Sequence, residues 1–105
     1  MRGRMHLVQL LLPLYSNSGV QFEPALYTEV RNELVNQFGG ITAYTRAPVH
    51  GLWQESEQIV RDDLIIYEIM VETLEEEWWR EYRITLENRF QQQSLVVRAH
   101  QIILL

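Results

Sequence analysis

Two residues near the end of the chain, Arg98 and His100, could take part in acid–base chemistry. An imidazole exchanges protons near neutral pH, and a guanidinium stabilises a developing negative charge. Residues two positions apart on a β-strand project from the same side of the sheet. The pair therefore predicts a candidate catalytic site, with His100 as general base and Arg98 as the anion-stabilising group.

Other polar and aromatic residues could line a ligand pocket beside this pair. Apolar walls with a few polar groups that fix orientation are typical of small-molecule sites. The pocket candidates are Gln9, Tyr44, Arg46, Trp53 and Glu68. Trp53 could close the mouth of a pocket or clamp a partner subunit, and the clamp is the preferred interpretation. The competing interpretation of the polar residues is structural, with Arg98 paired to Glu68 inside a dimer interface.

Metal and cofactor chemistry is not indicated. His6, His50 and His100 fall on separate segments without metal-ligand spacing, and His6 and His50 are expected at the surface. The chain has no cysteine, so it has neither a thiolate nucleophile nor a sulfur ligand. No Gly-rich phosphate loop or nucleophile elbow is present. The acidic run Glu75–Glu77 is interpreted as the solvated start of a helix, so we predict no metal and no cofactor.

Charge and composition limit the classes of molecule that we expect this protein to bind. The chain has 105 residues and a net charge of −5, and its nine basic residues are scattered among fourteen acidic ones. Nucleic acids and anionic membranes require clustered basic residues, so neither is an expected partner. The length and the 47% hydrophobic content predict one globular domain over residues 1–105. The lack of cysteine suits the cytoplasm.

The first residues resemble a signal peptide, because Met1–Arg4 is basic and Leu7–Leu14 is apolar. Gln9 and Pro13 interrupt the apolar run, and cleavage would remove the first strand of the pattern. The run is also shorter than the roughly 20 residues that span a bilayer. We therefore expect a core strand here, with Met5 as an alternative start of the chain.

Apolar periodicity divides the chain into strand, helix, strand, strand, helix and strand. The first helix is expected to begin at Pro24 and end at Gly39-Gly40, and the second to open with a capping box of Thr73 and Glu76. The helix stripes are Leu26, Val30, Leu34 and Phe38, and then Trp79, Tyr82, Leu86 and Phe90. The predicted strands are His6–Tyr15, Ile41–Ala47, Leu64–Val71 and Leu95–Ile103, with a small hairpin arm across Leu52–Gln54 and Ile59–Arg61.

This order predicts an α+β fold of type βαββαβ, with a four-stranded antiparallel sheet in the order 4-1-3-2. Right-handed crossovers place both helices on one face. Burying Glu68 under the helices would be costly, so its side of the third strand should form the opposite, open face. That face also carries Leu64, Ile66 and Met70, an apolar patch of the kind that marks an interface or a pocket.

The Leu7–Leu14 strand, the junction Phe38–Thr42 and the Trp78-Trp79 helix carry a family resemblance. Through these three segments the chain resembles the ferredoxin-like dimeric α/β-barrel superfamily, whose subunits pair through their open sheet faces. More narrowly, Phe38–Tyr44 with Gly51–Trp53 is similar to a group of small uncharacterised bacterial proteins. Neither motif is a catalytic signature. The superfamily includes cofactor-independent monooxygenases, haem-degrading enzymes, lactone isomerases and members without known activity.

The predicted function is a homodimer with a small-molecule-binding or structural role at the open face. The alternative is a cofactor-independent monooxygenase or isomerase acting on a small organic substrate. An amino-acid-sensing regulatory domain also stays open. An RNA-recognition domain is disfavoured, because Tyr67 is the only aromatic residue of the third strand and is predicted to face the helices.

Overall fold

The computed structural model describes residues 3–46 and 64–105. Its elements follow the predicted order of strands and helices. They are β1 Gly3–Pro13, α1 Pro24–Phe38, β2 Thr42–Arg46, β3 Leu64–Val71, α2 Glu76–Arg89 and β4 Val96–Leu104. The predicted hairpin arm, with Trp53, lies outside the described residues.

The four strands form one antiparallel sheet in the order β2-β3-β1-β4. This is the predicted order read from the other edge, and it gives the ferredoxin-like α+β arrangement. The apolar residues on both sides of β1 suit its interior position, where it pairs with β3 and β4. In register, Leu10 lies between Tyr67 of β3 and Val97 of β4.

The hydrophobic core fills one side of the sheet. Val8, Leu10 and Leu12 of β1 are buried there with residues from both helices. From the helices come Tyr27, Val30 and Leu34 of α1 and Trp79, Tyr82 and Leu86 of α2. Both helices therefore cover the same face, as the crossover rule predicts, and leave the open face on the other side.

The ends of α1 are as predicted. Pro24 is its first residue, where the missing N–H has no helical partner to lose. Gly39 follows the helix with a φ of 86°, a left-handed conformation that favours glycine, and its N–H donates to the carbonyl of Val35 at 2.7 Å. The junction directs the chain into β2, which lies at the sheet edge as expected.

The predicted capping box of α2 is wrong. The helix begins at Glu76, so Thr73 lies in the preceding turn, too far back to occupy the capping position. Glu75 occupies it and makes no side-chain capping bond. Glu76 and Glu77 instead accept from Arg80 at 3.1 and 3.3 Å, one turn further along the helix.

Aromatic and charged contacts fix α2 against α1. Phe38 stacks on Trp79 with ring centres 5.1 Å apart, and the half-buried Trp78 packs edge-on against Phe38 at the same distance. Arg89 donates to both carboxylate oxygens of Glu33 at 2.8 and 2.9 Å. Since Glu33 lies on α1, this bidentate pair joins the two helices that support the sheet.

Candidate functional site

Four polar residues lie at the same level across the open face, one on each strand. Thr42 of β2 pairs in register with Glu68 of β3, Glu68 pairs with Gln9 of β1, and Gln9 pairs with Arg98 of β4. We call Thr42, Glu68, Gln9 and Arg98 the polar row. Three of the predicted site residues, Gln9, Glu68 and Arg98, are thus neighbours on adjacent strands.

Gln9 connects the two charged members of the polar row. Its Nε2 donates to Oε2 of Glu68, and its Oε1 accepts from Nε of Arg98 at 2.8 Å. The amide can do both because it carries a donor and an acceptor on opposite sides. The predicted direct pair between Arg98 and Glu68 is therefore replaced by a pair in which Gln9 stands between the cation and the anion.

Apolar residues flank the polar row on both sides. One neighbouring level contains Ile66, Leu11 and Val96, and the other contains Met70 and Leu7 beside His100. We call these levels the apolar rows. Ile66 is only 3% exposed, whereas Met70 and Val96 are 53% and 49% exposed. The open face thus presents apolar surface around a central line of hydrogen-bonded polar groups.

His100 is exposed on β4, on the same face as Arg98. Two residues of strand separate the two side chains along the chain, a rise of about 7 Å. In register His100 lies beside Leu7, and Arg98 lies beside Gln9. The structure therefore puts the predicted base and the predicted anion-stabilising group on one surface but in different rows.

Within the described part of the chain, a cleft of about 280 Å³ lies between α2 and β4, on the helix side of the sheet. Leu74, Trp79 and Val97 supply apolar walls, and Arg80 and Arg83 are its cationic residues on α2. Arg98 also lines this cleft, whereas His100, Gln9 and Glu68 do not. The spacing of Arg80 and Arg83 on one helix face is a signal in the sequence that our prediction did not use.

The remaining pocket candidates are located only in part. In the backbone register, Tyr44 of β2 lies opposite Ile66 and Arg46 lies opposite Leu64. Trp53 lies outside the described residues, so its predicted role as a clamp stays a prediction. Among the residues that the structure describes, no three His, Asp or Glu side chains come together as metal ligands do.

His6 differs from its predicted surface position. β1 begins at Gly3 rather than at His6, so His6 lies within the strand, between Val71 and Gln101. The residue is half-buried, and its Nδ1 has no hydrogen-bond partner in the described part of the chain. Alternation puts His6 on the helix side of the sheet, away from His100.

Comparisons of the chain with protein-family models, with curated proteins and with solved structures found no match. The resemblance to dimeric α/β barrels therefore stays a prediction beyond the ferredoxin-like arrangement itself. None of the described helices combines the length and the apolar character needed to cross a membrane.

Proposed function

We propose that this protein is a homodimerising domain of the dimeric α/β-barrel type, in which the open face packs on the same face of a second copy. The observation that carries the proposal is the exposure of two members of the apolar rows, Met70 and Val96. Met70 and Val96 are each about half exposed on the open face. Removal of this apolar surface from water favours association with a partner.

The arrangement of the open face supports a protein partner. Two sheets pack face to face about 10 Å apart, with the side chains of both inner faces filling the space. Apolar side chains around a few hydrogen-bonded polar groups are what such an interface contains. Neither described helix covers this side, since both contribute to the core on the other face.

We assign the interface a structural role or the binding of a small organic ligand between the apolar rows. Gln9, Glu68 and Arg98 would orient such a ligand, because they belong to the polar row that lies between the apolar rows. The absence of cysteine supports a cytoplasmic location, and the resemblance to small bacterial proteins supports a bacterial source.

Native mass spectrometry of the gently purified protein at micromolar concentration tests the proposal. We expect the mass of a dimer, and additional retained mass would identify a bound ligand. Met70→Lys should shift the protein toward monomer, because it introduces an unpaired charge into the interface. The matched control is Ile84→Lys on α2, since Ile84 is 51% exposed, close to the exposure of Met70, but lies away from the open face. A monomeric wild-type protein would refute the proposal.

A cofactor-independent monooxygenase or isomerase is the second candidate, supported by the exposure of His100 and Arg98 on one face. With a substrate that has an acidic C–H group, either reaction can begin when a base removes that proton, which an imidazole can do near neutral pH. The test is hydrogen–deuterium exchange of simple enolisable ketones in heavy water, followed by NMR. Wild-type protein should accelerate the exchange and His100→Ala should not. Equal rates for the two proteins would exclude this role for His100.

A further inference from the structure

We infer that the cleft between α2 and β4 binds a small aromatic monocarboxylate, whose carboxylate is held by Arg83 and whose ring lies between Trp79 and β4. The cleft is on the helix side of the sheet, so the inference does not depend on the open face or on the proposed dimer. It follows from the shape of the cleft, from the charges that line it and from the hydrogen-bond donors that Arg83 has available.

The floor of the cleft is a part of the sheet that α2 leaves uncovered. Val97 and Ala99 of β4 pair in register with Leu10 and Val8 of β1, which are buried in the core, so they lie on the helix side of the sheet. Ala99 is nevertheless exposed. Its side chain is a single methyl group, so it leaves space beside α2 that a larger side chain at this position would fill.

Apolar side chains form the walls of the cleft. Leu74 and Trp79 line it from the start of α2, and Val8 and Val97 line it from the sheet. The indole of Trp79 is fixed, since Phe38 stacks on it and the residue is only 5% exposed. A wall that is already ordered loses little conformational entropy when a ligand binds. The volume of about 280 Å³ is just below the roughly 300–1,000 Å³ of sites for drug-sized ligands, so a single ring with a carboxylate is a suitable size.

The charges that line the cleft are mostly positive. Among the described residues around it, Arg80, Arg83 and Arg98 are accompanied by one carboxylate, that of Glu76. The chain as a whole has a net charge of −5, so the lining has the opposite sign to the protein. A cleft lined by one sign of charge concentrates ligands of the other sign. The electrostatics therefore favour an anion over a neutral or cationic ligand.

Arg83 has donors available for that anion. Its Nη1 lies 3.7 Å from Oε2 of Glu87, which is beyond hydrogen-bond distance. That oxygen already accepts from the N–H of Leu95 at 3.0 Å, and the Glu87 side chain is only 14% exposed, so Glu87 is held in place. Within the described ranges, Arg83 makes this ion pair and no hydrogen bond. Its guanidinium can therefore bind a carboxylate with two parallel bonds without breaking a hydrogen bond of its own.

Arg80 is less available than Arg83. Its two terminal nitrogens donate to Glu76 at 3.1 Å and to Glu77 at 3.3 Å, so carboxylates of its own helix neutralise much of its charge. Glu76 also lines the cleft, where a ligand with a second negative charge would be repelled by it. The site therefore favours a monocarboxylate over a phosphate dianion.

Benzoate is the probe, and benzamide is its neutral counterpart of nearly the same shape. Titration of the full-length, nitrogen-15-labelled protein by two-dimensional NMR measures the affinity and locates the site. We expect benzoate to bind in the millimolar range, as a ligand with few atoms does, and to shift the signals of Trp79, Arg83 and Ala99. Benzamide should bind about tenfold more weakly or worse, because its bonds to the guanidinium lack the second charge.

Three variants test the roles of individual residues. Arg83→Gln should weaken benzoate binding about tenfold or more, whereas Arg31→Gln, which removes the same charge from an exposed position on α1, should leave it unchanged. Glu76→Gln should bind benzoate severalfold more tightly, because it removes a negative charge from the cleft and releases a terminal nitrogen of Arg80. Ala99→Leu should abolish binding by filling the floor, and its exposed position lets the protein fold.

The outcomes separate this inference from the proposed function. Equal affinities for benzoate and benzamide, or an unchanged affinity in Arg83→Gln, would overturn anion binding by Arg83. Signal shifts confined to Met70, His100 and their neighbours would place the ligand on the open face and overturn the assignment to the cleft. No binding at millimolar benzoate would overturn the inference and leave the proposed dimer unaffected, whereas a monomeric protein that binds benzoate in the cleft would do the reverse.

Discussion

The bidentate pair between Glu33 and Arg89 is expected to stabilise the protein by holding α1 and α2 together. Both oxygens of Glu33 accept from Arg89, and Oε1 also accepts from the hydroxyl of Tyr82 at 2.8 Å. Arg89 also lies 3.3 Å from Glu29, and its side chain is only 15% exposed. Glu33→Gln keeps the shape of the side chain but removes the charge that both partners bind.

The size of the effect follows from geometry and exposure. A hydrogen bond to a charged group contributes about 1.5–3 kcal/mol, whereas an exposed ion pair contributes about 0.2–1 kcal/mol. Glu33 is 39% exposed, so solvent screening reduces the upper value. We therefore expect Glu33→Gln to lower the free energy of unfolding by about 1–2 kcal/mol near neutral pH.

The effect should depend on pH. Hydrogen bonding to Arg89 lowers the pKa of Glu33 below its usual range, and the bond from Tyr82 lowers it further, against the opposing effect of burial. The folded-state pKa is thus below the unfolded value of about 4.3. The stabilisation is fully present above the unfolded pKa and is lost as the pH falls through the folded value. The difference between wild type and Glu33→Gln should therefore shrink in acid.

Urea unfolding followed by the fluorescence of Trp78 and Trp79 measures this difference at fixed protein concentration, near pH 7 and in acid. A double-mutant cycle with Arg89→Gln isolates the coupling of Glu33 and Arg89. The control cycle uses Glu76 and Arg80, an exposed pair within one helix. The reasoning is refuted if the Glu33 coupling is no larger than the control, or if it persists unchanged in acid.

Two further predictions concern the supports of the sheet. Gly39→Ala should cost about 1 kcal/mol, because alanine is strained at a φ of 86°, whereas Gly40→Ala should cost less; chemical denaturation compares them. Tyr27→Phe should cost about 1 kcal/mol, because the hydroxyl donates to the carbonyl of Pro13 at 2.6 Å. Burial raises the pKa of Tyr27 to about 12. The stabilisation by its hydroxyl is therefore present below the unfolded-state pKa and is lost as the pH rises toward 12. Ultraviolet titration of wild type against Tyr27→Phe follows this ionisation, and ionisation of Tyr27 at the ordinary tyrosine pKa would contradict the prediction.

The order of the elements and the two faces of the sheet could be predicted because they depend on local patterns. Alternation on β3 placed Glu68 and Tyr67 on opposite faces, and the structure confirms both positions. Apolar residues at helical spacing likewise predicted the positions of α1 and α2. The starts of β1 and α2 were less well predicted, since a polar residue such as His6 or Thr73 is compatible with more than one position at an element boundary.

Three members of the polar row, Gln9, Glu68 and Arg98, were predicted from the sequence, but their arrangement was not. Gln9 is 59 residues from Glu68 and 89 residues from Arg98 along the chain, so no local pattern fixes their levels in the sheet. A shift of two residues would leave every side chain on the same face yet separate the three groups. The position of Gln9 between Glu68 and Arg98 could therefore be known only from the strand register of the structure. The Glu33 pair was missed for the same reason, since its partners lie on different helices.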